Sequence, residues 1–218
     1  MEALPDKKGE IIVVDNNSTD RTASLALKYG AQVVFEPIRQ IARARNAGAM
    51  VAKGQHLFFV DADTFIPVPT FKSAINYMEN GKVGGGGALL EFDQDHDRLM
   101  AGIILPKLWN LISRLTGLFA GSFIFCRAEL FNKSNGFPET HFAGEEIAFH
   151  KSLKKECKKA GLVLMILKDH PVRSSARKLG WHKDWSILVK ILPLVLCPLL
   201  LRSRKACSFW YQRPKSQS

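Results

Sequence analysis

The chain has 218 residues, room for one compact α/β domain with a sizeable core and a short appendage, but a tight fit for two full domains. With 46% hydrophobic and 23% charged residues, it has neither a disordered nor a fibrous composition. Its 31 Lys plus Arg against 20 Asp plus Glu give a formal charge of +11, which favours anionic partners: a phosphorylated substrate, an acidic membrane surface or nucleic acid.

Residues 1–9 are polar and lack an apolar h-region, so no secretory signal is read there and a cytoplasm-facing protein is expected. From residue 10 onward, short β-rich runs alternate with helical patterns, as in a sheet with crossover helices. Residues 11–14 form a buried strand that stops at a cluster of turn formers, and Ser18 or Thr19 is placed to cap a helix reaching about Tyr29. A strand over 32–35, an Ala-rich helix over 41–52 and a buried strand over 56–60 follow. That last strand ends at Asp61. Pro67 and Pro69 precede a helix over 71–79. The glycine-dense stretch 81–87 has no Lys-Ser/Thr pair and opens no helix, so it is expected to be a flexible turn or edge strand leading into a strand over 88–92 rather than a phosphate loop.

Further along, helices are expected over 98–115, 128–133 and 144–159, with strands over 119–126 and 162–167. A turn is expected at Asp169-His170-Pro171. Cys126, Cys157, Cys197 and Cys207 lack zinc-site spacing and are expected to be reduced thiols. The run 187–201 is apolar but too short to cross a bilayer as a helix, which needs roughly 20 residues. Its flanks carry Trp181, Trp185, Trp210 and several basic residues, which suits a segment lying at a membrane interface; a packed core or oligomer-contact helix and, least favoured by its length, a true span are the other options. The organisation expected is one domain over 1–180 with an amphipathic segment over 181–218. Basic residues are spread along the chain without a recognised binding motif, which argues against nucleic acid.

In open α/β sheets, ligands bind beyond the carboxyl ends of strands, so the polar residues there are where chemistry is expected. Asp61 and Asp63 end a buried strand on the same side of an extended chain, and hard divalent cations prefer such carboxylate oxygens. The same triplet recurs at Asp93, Asp95 and Asp97, but in a polar stretch before a helix, where a solvated N-terminal cluster explains it. Asp15 closes the first strand, where it can accept an imide N–H from a uracil-type base, cap the next helix through an Asx turn, or do both. Arg39, Arg43 and Arg45 lie at or just before the second helix, so at least one, notably Arg45, is placed to face a diphosphate. Glu145 and Glu146 open a helix. They favour its dipole, and Glu146 is also the candidate general base for an acceptor hydroxyl. His170 is a candidate third metal ligand.

The stretches Ile-Val-Val-Asp-Asn-Asn-Ser-Thr-Asp-Arg-Thr (12–22), Ala-Arg-Asn-Ala-Gly-Ala (44–49), Ala-Lys-Gly-Gln-His-Leu-Phe-Phe-Val-Asp-Ala-Asp-Thr (52–64), Asn-Gly-Phe-Pro-Glu (135–139) and Gly-Glu-Glu (144–146) occur in an order that resembles the glycosyltransferase family 2 enzymes. The resemblance implies the GT-A fold, a Rossmann-like, mixed and mainly parallel sheet flanked by helices. It also implies inverting transfer of a sugar from a UDP- or GDP-type donor with Mg2+ or Mn2+ on the diphosphate. On that pattern Asp15 contacts the base, Asp61 the ribose or metal, Asp63 the metal and Glu146 is the catalytic base, while His170 falls where a late metal-binding histidine is often found. With the basic, apolar C-terminus, the acceptor expected is lipid-linked or membrane-proximal. Three departures accompany the resemblance. The family's usual opening strand, with its Pro and Asn-Glu pair, is not in this sequence, Asn16 replaces a frequent Asp, and Glu146 replaces the usual Asp. A missing strand predicts an unpaired sheet edge. Its possible consequences are dimerisation or survival as an inactive binding or scaffold domain.

Overall fold

The computed structural model describes residues 9–93, 104–175, 189, 193–194 and 196–211. Asp95, Asp97, Trp181, Trp185 and the first residues of the helix expected from 98 lie outside these. In chain order the elements are β1 (Ile12–Asp15), α1 (Thr22–Lys28), β2 (Gln32–Phe35), α2 (Ile41–Val51), β3 (His56–Val60), β4 (Thr64–Phe65), α3 (Val68–Asn80) and β5 (Val83–Phe92). Then come α4 (Leu105–Thr116), β6 (Phe123–Arg127), α5 (Ala128–Lys133), α6 (Glu145–Lys159) and β7 (Val163–Ser174). A 3-10 helix at Pro198–Arg202 and α7 (Ser208–Tyr211) follow.

The expected mixed sheet is present, but it is divided and its pairing is more antiparallel than expected. Five strands run in the order β3-β6-β5-β7-β4, while β1 and β2 form a separate parallel pair. Within the five, only β5 and β7 run parallel; the β3–β6, β6–β5 and β7–β4 pairs are antiparallel. Among the described residues β1 therefore pairs only with β2, and β3 only with β6. One edge of β1 and one edge of β3 are thus unpaired among the described residues.

Helices cover both faces of the five-stranded sheet. One core joins Ala42 of α2, Leu57 and Phe59 of β3, Ile124 and Cys126 of β6, Leu130 of α5 and Phe149 of α6. The other joins Ala74 and Met78 of α3 to Phe123, Phe125, Leu167 and Val172. Each fully buried aromatic or aliphatic side chain stabilises the fold by about 1.5–3 kcal/mol relative to exposure. Cys126 and Cys157 are buried free thiols in strand and helix, as expected.

Three local expectations are corrected. The four glycines 84–87 lie inside β5, a central strand between β6 and β7, not in a flexible turn. Their smallness is required: a Cβ on Gly86 would strike the Met165 carbonyl oxygen, and one on Gly84 would come within 2.5 Å of the Cys157 sulfur. Strand β7 does not stop at Leu167. Its register on β5 jumps from Ala88↔Leu167 to Leu90↔Val172, so Lys168 to Pro171 bulge out before Val172 returns to the core. His170 adopts a left-handed φ of 56° in that bulge. Helix α1 begins at Thr22 rather than near Ser18, because Asp15 and Asp20 accept the Ser18 and Thr22 backbone N–H groups and hold the intervening loop in turns.

Part of the C-terminal segment packs onto the domain. Leu194, Leu200, Leu201, Cys207 and Tyr211 gather with Phe142 and Ala143, and the Phe142 N–H donates to the Leu201 carbonyl at 2.8 Å. No helix among the described residues is long and apolar enough to cross a membrane.

Candidate active site

The site grows from the end of β3. The Asp61 N–H donates to the Ser122 carbonyl at 3.2 Å and the Asp61 carbonyl accepts from the Thr64 N–H at 2.9 Å, so the chain turns sharply after Val60. Asp63 follows at the wall of an open cleft of about 490 Å3, with Thr64, Phe65, Asp93, Arg173, Ser174 and Ser175. The Ser175 N–H donates to the Asp63 carbonyl at 3.0 Å, fixing the end of β7 beside it.

Arg45 joins this strand end to helix α6. Its Nη2 lies 3.2 Å from Asp61 Oδ1 and donates to the Gly121 carbonyl at 2.8 Å, while Nη1 donates to Glu145 Oε1 at 2.7 Å. The guanidinium also sits over the Phe137 ring, 5.2 Å from its centroid. Burial opposes the Arg45 charge, but Asp61 and Glu145 outweigh it and hold the group above its ordinary value. Glu146, next along the helix, is pushed up to about 7 by burial and then by the neighbouring Glu145 charge, with Arg45 pulling the other way. A carboxyl that titrates near neutrality has the proton affinity a general base needs.

The three arginines read as candidates for a diphosphate each also have partners within the chain. Arg39 donates to the Asn17 carbonyl, Arg43 pairs with Glu36 at 3.0 Å and Glu139 at 2.7 Å, and Arg45 is held as above. Asp15 forms the Asx turn, accepting the Ser18 N–H at 2.8 Å. Asn16 ties β1 to the loop before α2 by donating to the Glu36 and Ile38 carbonyls and accepting the Gln40 N–H. That role needs both halves of an amide, which an Asp lacks.

His170 sits in the β7 bulge, where its carbonyl accepts the Thr70 hydroxyl. Among the described residues no three His, Cys, Asp or Glu side chains gather as a metal cage, so His170 does not complete one with Asp61 and Asp63. A set of one or two carboxylates still fits a Mg2+-like ion that takes its other ligands from phosphate and water. Asp63 lines the cleft and the Asp61 side chain remains 44% exposed beside Arg45.

Sequence reasoning passed over three contributors. Asp93, dismissed with its triplet, directly follows β5 and lines the same cleft as Asp63, so the strand-end rule applied there would have found it. The Tyr211 hydroxyl donates to the Phe142 carbonyl at 2.9 Å and is 3.4 Å from the Ile41 N–H, bracing the loop before α6 against α2. The Gly121 carbonyl, which anchors Arg45, has no signature in sequence.

Residues 2–134 match the family model for glycosyl transferase family 2, more than half of the chain. The chain belongs to that family. The family match ends just before the loop that leads to α6. Over 70 residues the chain is 48% identical to an uncharacterized glycosyltransferase of Mycobacterium tuberculosis (strain H37Rv), a segment that is 32% of this chain and 32% of that relative. The matched segment thus spans about a third of the curated relative. The fold is similar to the mannosyltransferase PcManGT from Pyrobaculum calidifontis, solved with GDP-Man and Mn2+ (TM-score 0.59, 21% identity, 90% of this chain and 59% of that one). It is also similar to glucosyl-3-phosphoglycerate synthase from Mycobacterium tuberculosis, solved with Mn2+, UDP and glucosyl-3-phosphoglycerate (TM-score 0.56, 20% identity, 95% of this chain and 70% of that one). The family 2 chain described here has their GT-A architecture.

Proposed function

We propose that this family 2 chain transfers a sugar from a UDP- or GDP-type donor to an acceptor hydroxyl by metal-assisted, inverting displacement. One observation carries this reading: Arg45 draws the strand-end Asp61 and the α6 N-terminus bearing Glu145 and Glu146 into one cluster, beside the cleft that Asp63 lines. A Mg2+ or Mn2+ ion bound with the donor would neutralise the charge gathering on the leaving diphosphate.

Asp63 would hold that ion, and Asp61 would contact it or the adjoining ribose. Asp15 accepts an N–H of the base while its other role, the Asx turn, keeps the β1 end in place. Glu146 removes the proton from the acceptor hydroxyl as the new bond to the anomeric carbon forms and the bond to the diphosphate breaks. Glu145 is committed to Arg45 and acts by keeping that charge in position. The solved neighbours that bind UDP or GDP-Man with Mn2+ support this assignment of donor class and metal.

Calorimetric titration with UDP and GDP, with Mn2+ and with chelator, tests the reading. Binding of one nucleotide that needs Mn2+ and is lost in Asp63→Ala is expected. Wild-type protein that binds neither nucleotide in Mn2+ overturns it. A second reading, a binding or scaffold domain without turnover, draws support from the separation of β1–β2 from the main sheet. Donor hydrolysis or transfer that disappears in Glu146→Gln eliminates that alternative.

A further inference from the structure

Helix α4 is built inside out. Asn110 faces the sheet, where its side-chain amide accepts the Leu90 N–H at 3.0 Å and donates to the Leu90 carbonyl at 2.8 Å. This satisfies the backbone of β5 beyond its pairing with β6, which ends at Gly87. Ser113, one turn on, is buried and donates to the Leu118 carbonyl. With its polar residues fixed inward, the helix turns Ile104, Leu108, Leu111, Ile112 and Leu115 outward, and Leu115 is 77% exposed.

The spacing 104, 108, 111, 112, 115 is one continuous helical stripe. Lys107 and Arg114, both exposed and seven residues apart, lie along one flank of it. The stripe contains no aromatic, Met or acidic residue, whereas the cores of protein interfaces are rich in aromatics and Met. Purely aliphatic side chains bordered by cations, on a chain of formal charge +11, complement the headgroup and acyl boundary of an anionic bilayer. A second patch has the same make-up: Leu196 and Leu199 are exposed, and exposed Arg202, Arg204 and Lys205 follow them.

We infer that the outward stripe of α4 seats on an anionic lipid surface, lying in the interface with Lys107 and Arg114 at the headgroups. This inference does not depend on the transferase assignment, because it concerns a face remote in chemistry from the carboxylate cluster.

Vesicle co-sedimentation of the full chain tests it, using phosphatidylcholine alone and phosphatidylcholine mixed with phosphatidylglycerol. Wild type is expected to pellet with the anionic vesicles. Leu111→Asp/Leu115→Asp is expected to lose about tenfold or more in partitioning. Lys107→Glu/Arg114→Glu loses the preference for phosphatidylglycerol, and Leu27→Asp, on the exposed face of α1, changes nothing. Equal pelleting of wild type and the leucine variant overturns the inference. So does a wild type that binds no vesicle and whose dimer is broken by the leucine variant, which assigns the stripe to a second copy. A leucine variant that loses its cooperative thermal transition also overturns it, because the stripe is then covered by another part of the same chain.

Discussion

Arg45 and Glu145, separated by 100 positions in the chain, meet at 2.7 Å with side chains only 10% and 4% exposed. Removing one partner of such a pair leaves a buried charge without compensation, a loss of about 3–5 kcal/mol. Arg45→Met is therefore expected to lower the denaturant midpoint strongly, and the double variant Arg45→Met/Glu145→Met to recover part of that loss. A double-mutant cycle by chemical unfolding measures the coupling. Additive effects would show that the contact contributes nothing to stability.

Glu146 titrates near 7 in the folded chain against an ordinary value of 4.5. Because its folded value is raised, the folded state binds the extra proton between those limits, and stability falls as pH rises from about 4.5 through about 7. Glu146→Gln is accordingly expected to be more stable than wild type at pH 8, with the gap closing below about pH 4.5. With Glu146 in the proposed role of general base, catalysis runs in the opposite sense, since a base works only when ionised. The rate should climb with pH to a plateau above about 7. Thermal melts across pH and a kcat/KM profile check the two limbs separately.

Much of this site was legible along the chain because it depends on local pattern. The apolar run from His56 to Val60 announced a strand, and strand ends are where ligands bind, so Asp61 and Asp63 followed directly. The opening of α6 and its acidic first turn were equally local. The contacts of Arg45 with Asp61, Gly121 and Glu145 were not legible, because these partners are 16 to 100 positions away and only folding brings them to the guanidinium. The end of β7 was misjudged for a related reason. The Asp169-His170-Pro171 turn signal is genuine, but Val172 finds a core position opposite Leu90 and draws the chain back into the sheet.

The four glycines of β5 were read as flexibility because smallness has meaning only when the neighbours are known. At Gly86 the added methyl of Gly86→Ala would meet the Met165 backbone, which cannot rotate away as a side chain could. The β5–β7 ladder would have to shift, at a cost of about 3 kcal/mol or more. Gly30→Ala has open space around its Cβ and suffers only the left-handed φ of 77°, so a cost of about 1 kcal/mol is expected. Urea midpoints of the two variants compare obstruction with backbone strain, and a Gly86→Ala midpoint equal to wild type would contradict the central placement of β5.

The division of the sheet has its own signature in amide exchange. The carbonyls of Ile11, just before β1, and of Asp15 at its end accept from Gln32 and Glu36, so alternate residues along this stretch serve β2. The intervening Ile12 and Val14 direct their backbone groups to the opposite side, where no strand among the described residues meets them. Phe125 and Cys126 of β6, by contrast, lie between β3 and β5 and are fully buried. Exchange at Ile12 and Val14 is therefore expected to be at least ~100-fold faster than at Phe125 and Cys126, since the first two amides face no strand while the β6 amides are freed only when a strand paired on both sides opens. Hydrogen–deuterium exchange with NMR detection resolves these amides singly. Protection of Ile12 and Val14 equal to that of the β6 pair would mean that this edge of β1 is covered in solution.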